Sequence, residues 1–152
     1  MFRLFFLFLM LGCTRDQATR IPQAQLEAYI AKSFAVRSLA DRSVLASYLT
    51  SRVKERLEAW SDAQFEEVFV GSKRELLRLL IKEVKKISPE ELEITYELSF
   101  LEHRKRNEEQ LQEARIINKK LCRMLFQDGK WLIADVKSLK ELIEYDGGMA
   151  LP

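Results

Sequence analysis

The side chains best suited to covalent or metal chemistry are the thiols and the imidazole, and this sequence has only Cys13, Cys122 and His103. Cys13 follows Gly12 at the end of an unbroken apolar run, Leu4 to Leu11, which itself follows the positive charge of Arg3. A short basic start, an apolar stretch and a small residue before the break make the pattern of a secretory signal. The alternatives are a transmembrane anchor or the buried start of a soluble domain, but a span needs about 20 apolar residues and this run stops far short. If Cys13 is modified, Cys122 has no partner within the chain, so no disulfide framework is expected even in a compartment that permits one. His103 has no second His or Cys at zinc spacing, and no metal site is expected. There is no G-x-S-x-G elbow, no phosphate-binding glycine loop and no H-E-x-x-H, so the sequence calls for no cofactor.

The stretch Met1 to Cys13 resembles a bacterial lipoprotein signal peptide, with Met10, Leu11, Gly12 and Cys13 in the place of the lipobox. The resemblance implies cleavage before Cys13 and acyl chains on its thiol. Residues 1–12 would then be the signal, and residues 13–20 the lipidated cysteine and a polar tether that reaches at most roughly 25 Å when extended. Thr14 after the cysteine, where Asp would imply inner-membrane retention, implies the periplasmic face of the outer membrane.

The rest of the 152 residues amounts to one domain, 21–145, followed by a loose tail, 146–152, that contains Gly147 and Gly148. With 25 Lys plus Arg against 23 Asp plus Glu the net charge is +2, which gives no sequence-wide field for nucleic acid. The expected fold class is α+β: N-terminal helices packed on a three- to four-stranded antiparallel sheet, connected as a meander.

Pro22 can occupy the first turn of a helix in which Leu26, Tyr29, Ile30 and Phe34 share one face, ending near Leu39. Asp41 is a plausible N-cap for a second helix, and Val53, Leu57 and Trp60 continue an apolar stripe after a break near Thr50. Ser61 with Gln64 has capping-box spacing, and Gly71 stops the helix it opens. Ser72 with Glu75 repeats the signal. The spacing of Leu76, Leu77, Leu80, Val84 and Ile87 predicts a further helix from Ser72 to Ile87, ended by Ser88 and Pro89. On that helix Arg74, Arg78, Lys82 and Lys85 or Lys86 would form a basic stripe, either a solvated face or a contact for anionic lipid head groups near the anchor.

After Pro89 the period becomes two. Leu92, Ile94, Tyr96, Leu98 and Phe100 alternate with polar residues, which predicts a strand with one buried face. His103 to Gln110 reads as a charged connection and Ala114 to Phe126 as a second strand. Asp128 and Gly129 form a hairpin turn before a third strand, Trp131 to Val136. Ser138 to Tyr145 is either a last helical turn or an extension of that strand. Around this hairpin both faces are apolar, so one set must face something besides the main helices. Met124, Trp131 and Ile133 are therefore a candidate contact patch, covered by the chain's own C-terminal part, by a protein partner or by a second copy in a homodimer.

The order of elements and the closing hairpin, Asp128 to Val136, resemble the nuclear transport factor 2-like, cystatin-like group of α+β domains over roughly Gln23 to Lys137. The resemblance implies a long first helix across a curved sheet whose concavity holds a small ligand or serves a dimer contact. In enzymes of that group Asp, His or Tyr act in the cavity, which would make Asp135, Tyr96 and His103 the candidates here, though no matching motif places them. A general base also needs hydrogen-bond reach to its proton, which chain spacing does not supply. The leading expectation is a membrane-tethered, periplasm-facing binding or assembly module. A small-ligand carrier or an enzyme is the alternative, favoured by a deep pocket enclosing titratable groups.

Overall fold

The structure is a computed structural model that describes residues 21–107, 110–145 and 148–149. The signal, Cys13, the tether and most of the tail lie outside the described residues.

Five antiparallel strands follow one another in space as they do in sequence: β1 (Arg74–Ser88), β2 (Glu91–Asn107), β3 (Gln110–Gln127), β4 (Lys130–Tyr145) and a short β5 (Gly148–Met149). Before them come α1 (Pro22–Phe34), α2 (Asp41–Ala46), α3 (Ser51–Ala59) and α4 (Asp62–Phe65), the last running into one π-helical turn, Glu66–Val70. The arrangement is α+β, and the four long strands are a meander. Leu26, Ile30, Leu45, Leu57 and Phe65 from the helical part share one core cluster with Leu92, Ile94, Tyr96, Leu98 and Phe100 of β2 and Ala114, Ile116, Cys122 and Met124 of β3.

Local chemistry explains most boundaries. Pro22 opens α1, which ends at Phe34 rather than near Leu39; beyond it Val36 turns into the core. Asp41 is the first residue of α2, and its carboxylate accepts from the backbone N–H groups of Arg37 and Ser38, closing the turn before the helix. Ser61 and Gln64 form the capping box, each side chain bonded to the other's backbone N–H. Asp128 and Gly129 both have positive φ, as a two-residue hairpin turn of the right twist requires.

The segment from Ser72 to Ile87 is not a helix but strand β1, paired along its length with β2. Its register slips at Leu77, Lys82 and Ile87, each an extra residue opposite none on β2. One bulge every five residues turns a period of two into a spacing of two and three: Arg74, Leu76, Leu79, Ile81, Val84 and Lys86 all fall on the side of the buried residues of β2. The bulges also carry Leu77 and Ile87, and these with Leu76, Leu80 and Val84 give the steps of three and four that read as a helix in the sequence. Ser72 opens nothing; its hydroxyl donates to the carbonyl of Val68 at 2.6 Å and closes the π-helical turn.

One further boundary differs from expectation, and at another the structure selects between the two alternatives read from the sequence. The charged stretch after His103 continues the β2–β3 ladder to Asn107 and Gln110, because backbone pairing needs no buried side chains. Ser138 to Tyr145 extends β4 and pairs with β3 as far as Ala114.

Candidate functional site

Between the helical segment and the buried face of the sheet lies a half-open cavity of about 410 Å³. Interiors are otherwise packed with few voids larger than a water molecule, so a space of this size is a feature of the fold and lies in the range of ligand pockets. Its aromatic walls come from four elements or their ends. Phe34 at the end of α1 meets Phe100 of β2 edge-on, with ring centroids 5.4 Å apart. Trp60, just after α3, and Phe69, in the π-helical turn, stand 6.0 Å apart.

The polar groups in this wall are unusual in sign. Arg56, Arg74 and Lys120 line the cavity, and no Asp or Glu does among the described residues. Arg74 is held in place: its Nε donates to Ser72 Oγ at 3.0 Å and its Nη2 to the Val68 carbonyl at 2.9 Å. Its guanidinium also lies over Phe34 and Phe69, 5.4 and 5.8 Å from the ring centroids. Lys120 lies directly across from Tyr96 in the β2–β3 ladder. Burial pushes the Lys120 ammonium below its ordinary value, Glu141 opposes that shift, and the like charge of Arg74 adds to it. Burial also lowers Arg74, against the pull of Glu102 and Tyr29. The phenols of Tyr29 and Tyr96 are both raised, chiefly by burial. Charge desolvation is thus concentrated on one small volume.

The residues singled out in the sequence are distributed differently. Tyr96 lines the cavity. His103 is exposed, and it and Asp135 sit at alternate positions of β2 and β4, on the opposite side of the sheet. Asp135 accepts from its neighbour Val136 N–H and pairs with Lys137 at 3.8 Å. The three enzyme candidates are therefore not brought together. The basic residues of β1 are divided as well. Arg74 and Lys86 are in register with the buried face, Arg78 and Lys85 with the open one, and Lys82 is a bulge residue 3.7 Å from Glu97. They do not form one stripe. Met124 and Ile133 are fully buried in the core. Trp131 is half-buried against Phe126, with centroids 5.4 Å apart.

Lys120, Trp60 and Arg56 carry no site motif in the sequence. One signal marks Lys120: with Asn118 it interrupts the apolar series Ile116, Cys122 and Met124, whose parity it shares.

Among the described residues no helix is long and apolar enough to cross a membrane, and no group of three His, Cys, Asp or Glu could hold a metal ion. No family model and no curated protein matches the chain. Among solved structures, the chain is similar to the crystal structure of the intermembrane space region of chloroplast protein ARC6. The two share 17% identity with a TM-score of 0.54, over 75% of this chain and 93% of that one. At that identity the likeness is one of fold.

Proposed function

We propose that this chain is a binding module for an envelope component, tethered through an acylated Cys13 to the periplasmic face of the outer membrane, with the aromatic cavity as its recognition site. The observation that carries the reading is the cavity itself: a half-open space of about 410 Å³ with aromatic walls, cationic polar groups and, among the described residues, no carboxylate in its lining. Such a lining can hold and orient a bound group but offers no carboxylate or imidazole to take a proton from it. In this reading the helices cover one face of the sheet as in the nuclear transport factor 2-like group, with the half-open cavity between the two layers. The fold likeness to a region between two membranes in ARC6 is compatible with an envelope role.

Site-specific photo-crosslinking in intact envelopes tests this. Benzoylphenylalanine replacing Val53, in the cavity wall, is expected to give a discrete adduct. The same group replacing Lys119, on the open face of β3, is expected to give none. Equal adducts from both positions, or none from Val53, would contradict the assignment.

A further inference from the structure

We propose that the cavity takes a small anionic amphiphile, an acid head group on an acyl or aryl body, whose head group is held between Arg74 of β1 and Lys120 of β3. The inference rests on the cavity being the recognition site and names the class of molecule that fills it.

Charge complementarity is the first argument. Three cations and, among the described residues, no acid line the cavity, and two of the cations, Arg74 and Lys120, are half-buried. Among the described residues Lys120 makes no hydrogen bond or ion pair; Glu141 attracts its charge and Arg74 repels it. Holding a half-buried ammonium beside a second cation costs free energy, and an anion bound by both offsets part of that cost.

Donors remain on both cations for an anionic head group. Nε and one N–H of Nη2 of Arg74 are bonded to Ser72 and Val68, which leaves both N–H groups of Nη1 and the second of Nη2, with the ammonium of Lys120 as the other cation. The two oxygens of a carboxylate can accept from both. Arg56 is exposed at the rim, where it can draw an anion towards the mouth.

The body of the guest follows from the walls. The sheet residues in the lining belong mostly to β2 and β3, whose backbone groups are committed to ladders on both sides. A peptide entering the cavity would leave its own N–H and C=O groups without partners, at a cost that an acyl or aryl body does not incur. Phe34, Trp60, Phe69 and Phe100 offer that body apolar and aromatic contact.

Octanoate, 1-octanol and octylamine share one chain and differ in head-group charge, and Trp60 reports on the cavity once Trp131→Phe has removed the other indole. Titrated into the full chain with that substitution, octanoate is expected to bind at least about tenfold more tightly than octanol, and octylamine more weakly than either. Lys120→Met is expected to abolish the preference for octanoate while leaving octanol binding intact, which also shows that the variant is folded. Arg74→Lys, which keeps the charge, is expected to retain part of the preference. Equal binding of octanoate and octanol would overturn the anion assignment and leave the cavity as a binding site. Binding of none of the three would overturn both readings. A preference for octanoate that survives Lys120→Met would remove Lys120 from the site and overturn the head-group placement.

Discussion

Ile133 and Leu49 form a parallel bridge on the side of β4 that faces away from β3. The Ile133 N–H donates to the Tyr48 carbonyl, and the Ile133 carbonyl accepts from the Thr50 N–H, both at 2.9 Å. Leu49 is also a wall of the cavity, so these two bonds tie one side of the site to the sheet. Ile133 is fully buried, and Ile133→Ala is expected to cost about 2–5 kcal/mol, measured as a fall in the urea midpoint. Hydrogen exchange provides a second check, because the Thr50 amide should exchange as slowly as those in the β3–β4 ladder. Fast exchange at Thr50 would mean that this wall is not fixed.

The bulges of β1 place large apolar side chains in solvent. Leu77 is 44% exposed and Ile87 is 48% exposed, and both are bulge residues. Leu77→Lys is therefore expected to change stability by no more than about 0.5 kcal/mol, whereas Ile94→Ala, at a fully buried position of β2, should cost about 2–5 kcal/mol. A helix from Ser72 to Ile87 would bury Leu77 with Leu76 and Leu80, so a large loss from Leu77→Lys would revive that assignment. Bulges together with Lys82 and Lys85 also blunt a long edge strand against pairing with other chains.

These residues show where the sequence was legible. Leu92 to Phe100 alternates cleanly because every bulge residue in its pairing with β1 lies on β1, and its register with β3 does not slip over that stretch. Asp128-Gly129 and Ser61 with Gln64 are local signals whose physics does not depend on the rest of the chain. The β1 pattern depends on where its bulges fall, which is decided by pairing with β2 and is invisible in β1 alone. The site was less legible than the fold. Arg74 reads as a surface residue in the sequence, and its place beside Phe34 and Phe69 is held by bonds to Ser72 and Val68 at the end of the π-helical turn. Lysine in a strand reads as solvent-facing, and only the parity of Lys120 with buried neighbours marks it as different.

Cys122 is a free cysteine with no exposed surface, and its thiol is pushed up to about 12, first by burial and then by the charge of Asp135. The native protein is expected to resist a thiol reagent at pH 8 and to react at once in denaturant. The raised value also has a consequence for stability. Below the ordinary thiol value of 9.0 both folded and unfolded chains hold the proton, and the stabilisation is complete. Between that value and about 12 only the folded chain holds it, so the contribution falls as pH rises through this window. Cys122→Ala should flatten the alkaline decline in the urea midpoint, and an unchanged slope would show that Cys122 is not its source.

The proposed anchor makes Cys13→Ser a test of placement. With no thiol to acylate, the chain is expected to leave the membrane fraction or to accumulate uncleaved, because stable anchoring takes two or more acyl chains. A mature N-terminus at a residue other than Cys13 would remove the tether from the proposal.

The central claim is that the cavity, rather than the open face or the β1 edge, is where this protein binds. Two-dimensional NMR of the full chain during titration with octanoate tests it most directly. Shift changes are expected to concentrate on Tyr29, Leu57, the Trp60 indole and Lys120, with Thr95, Leu121 and Ile87 unmoved. Changes centred on Ile87 and the β1 edge, or on Thr95 and Leu121 of the open face, would contradict it.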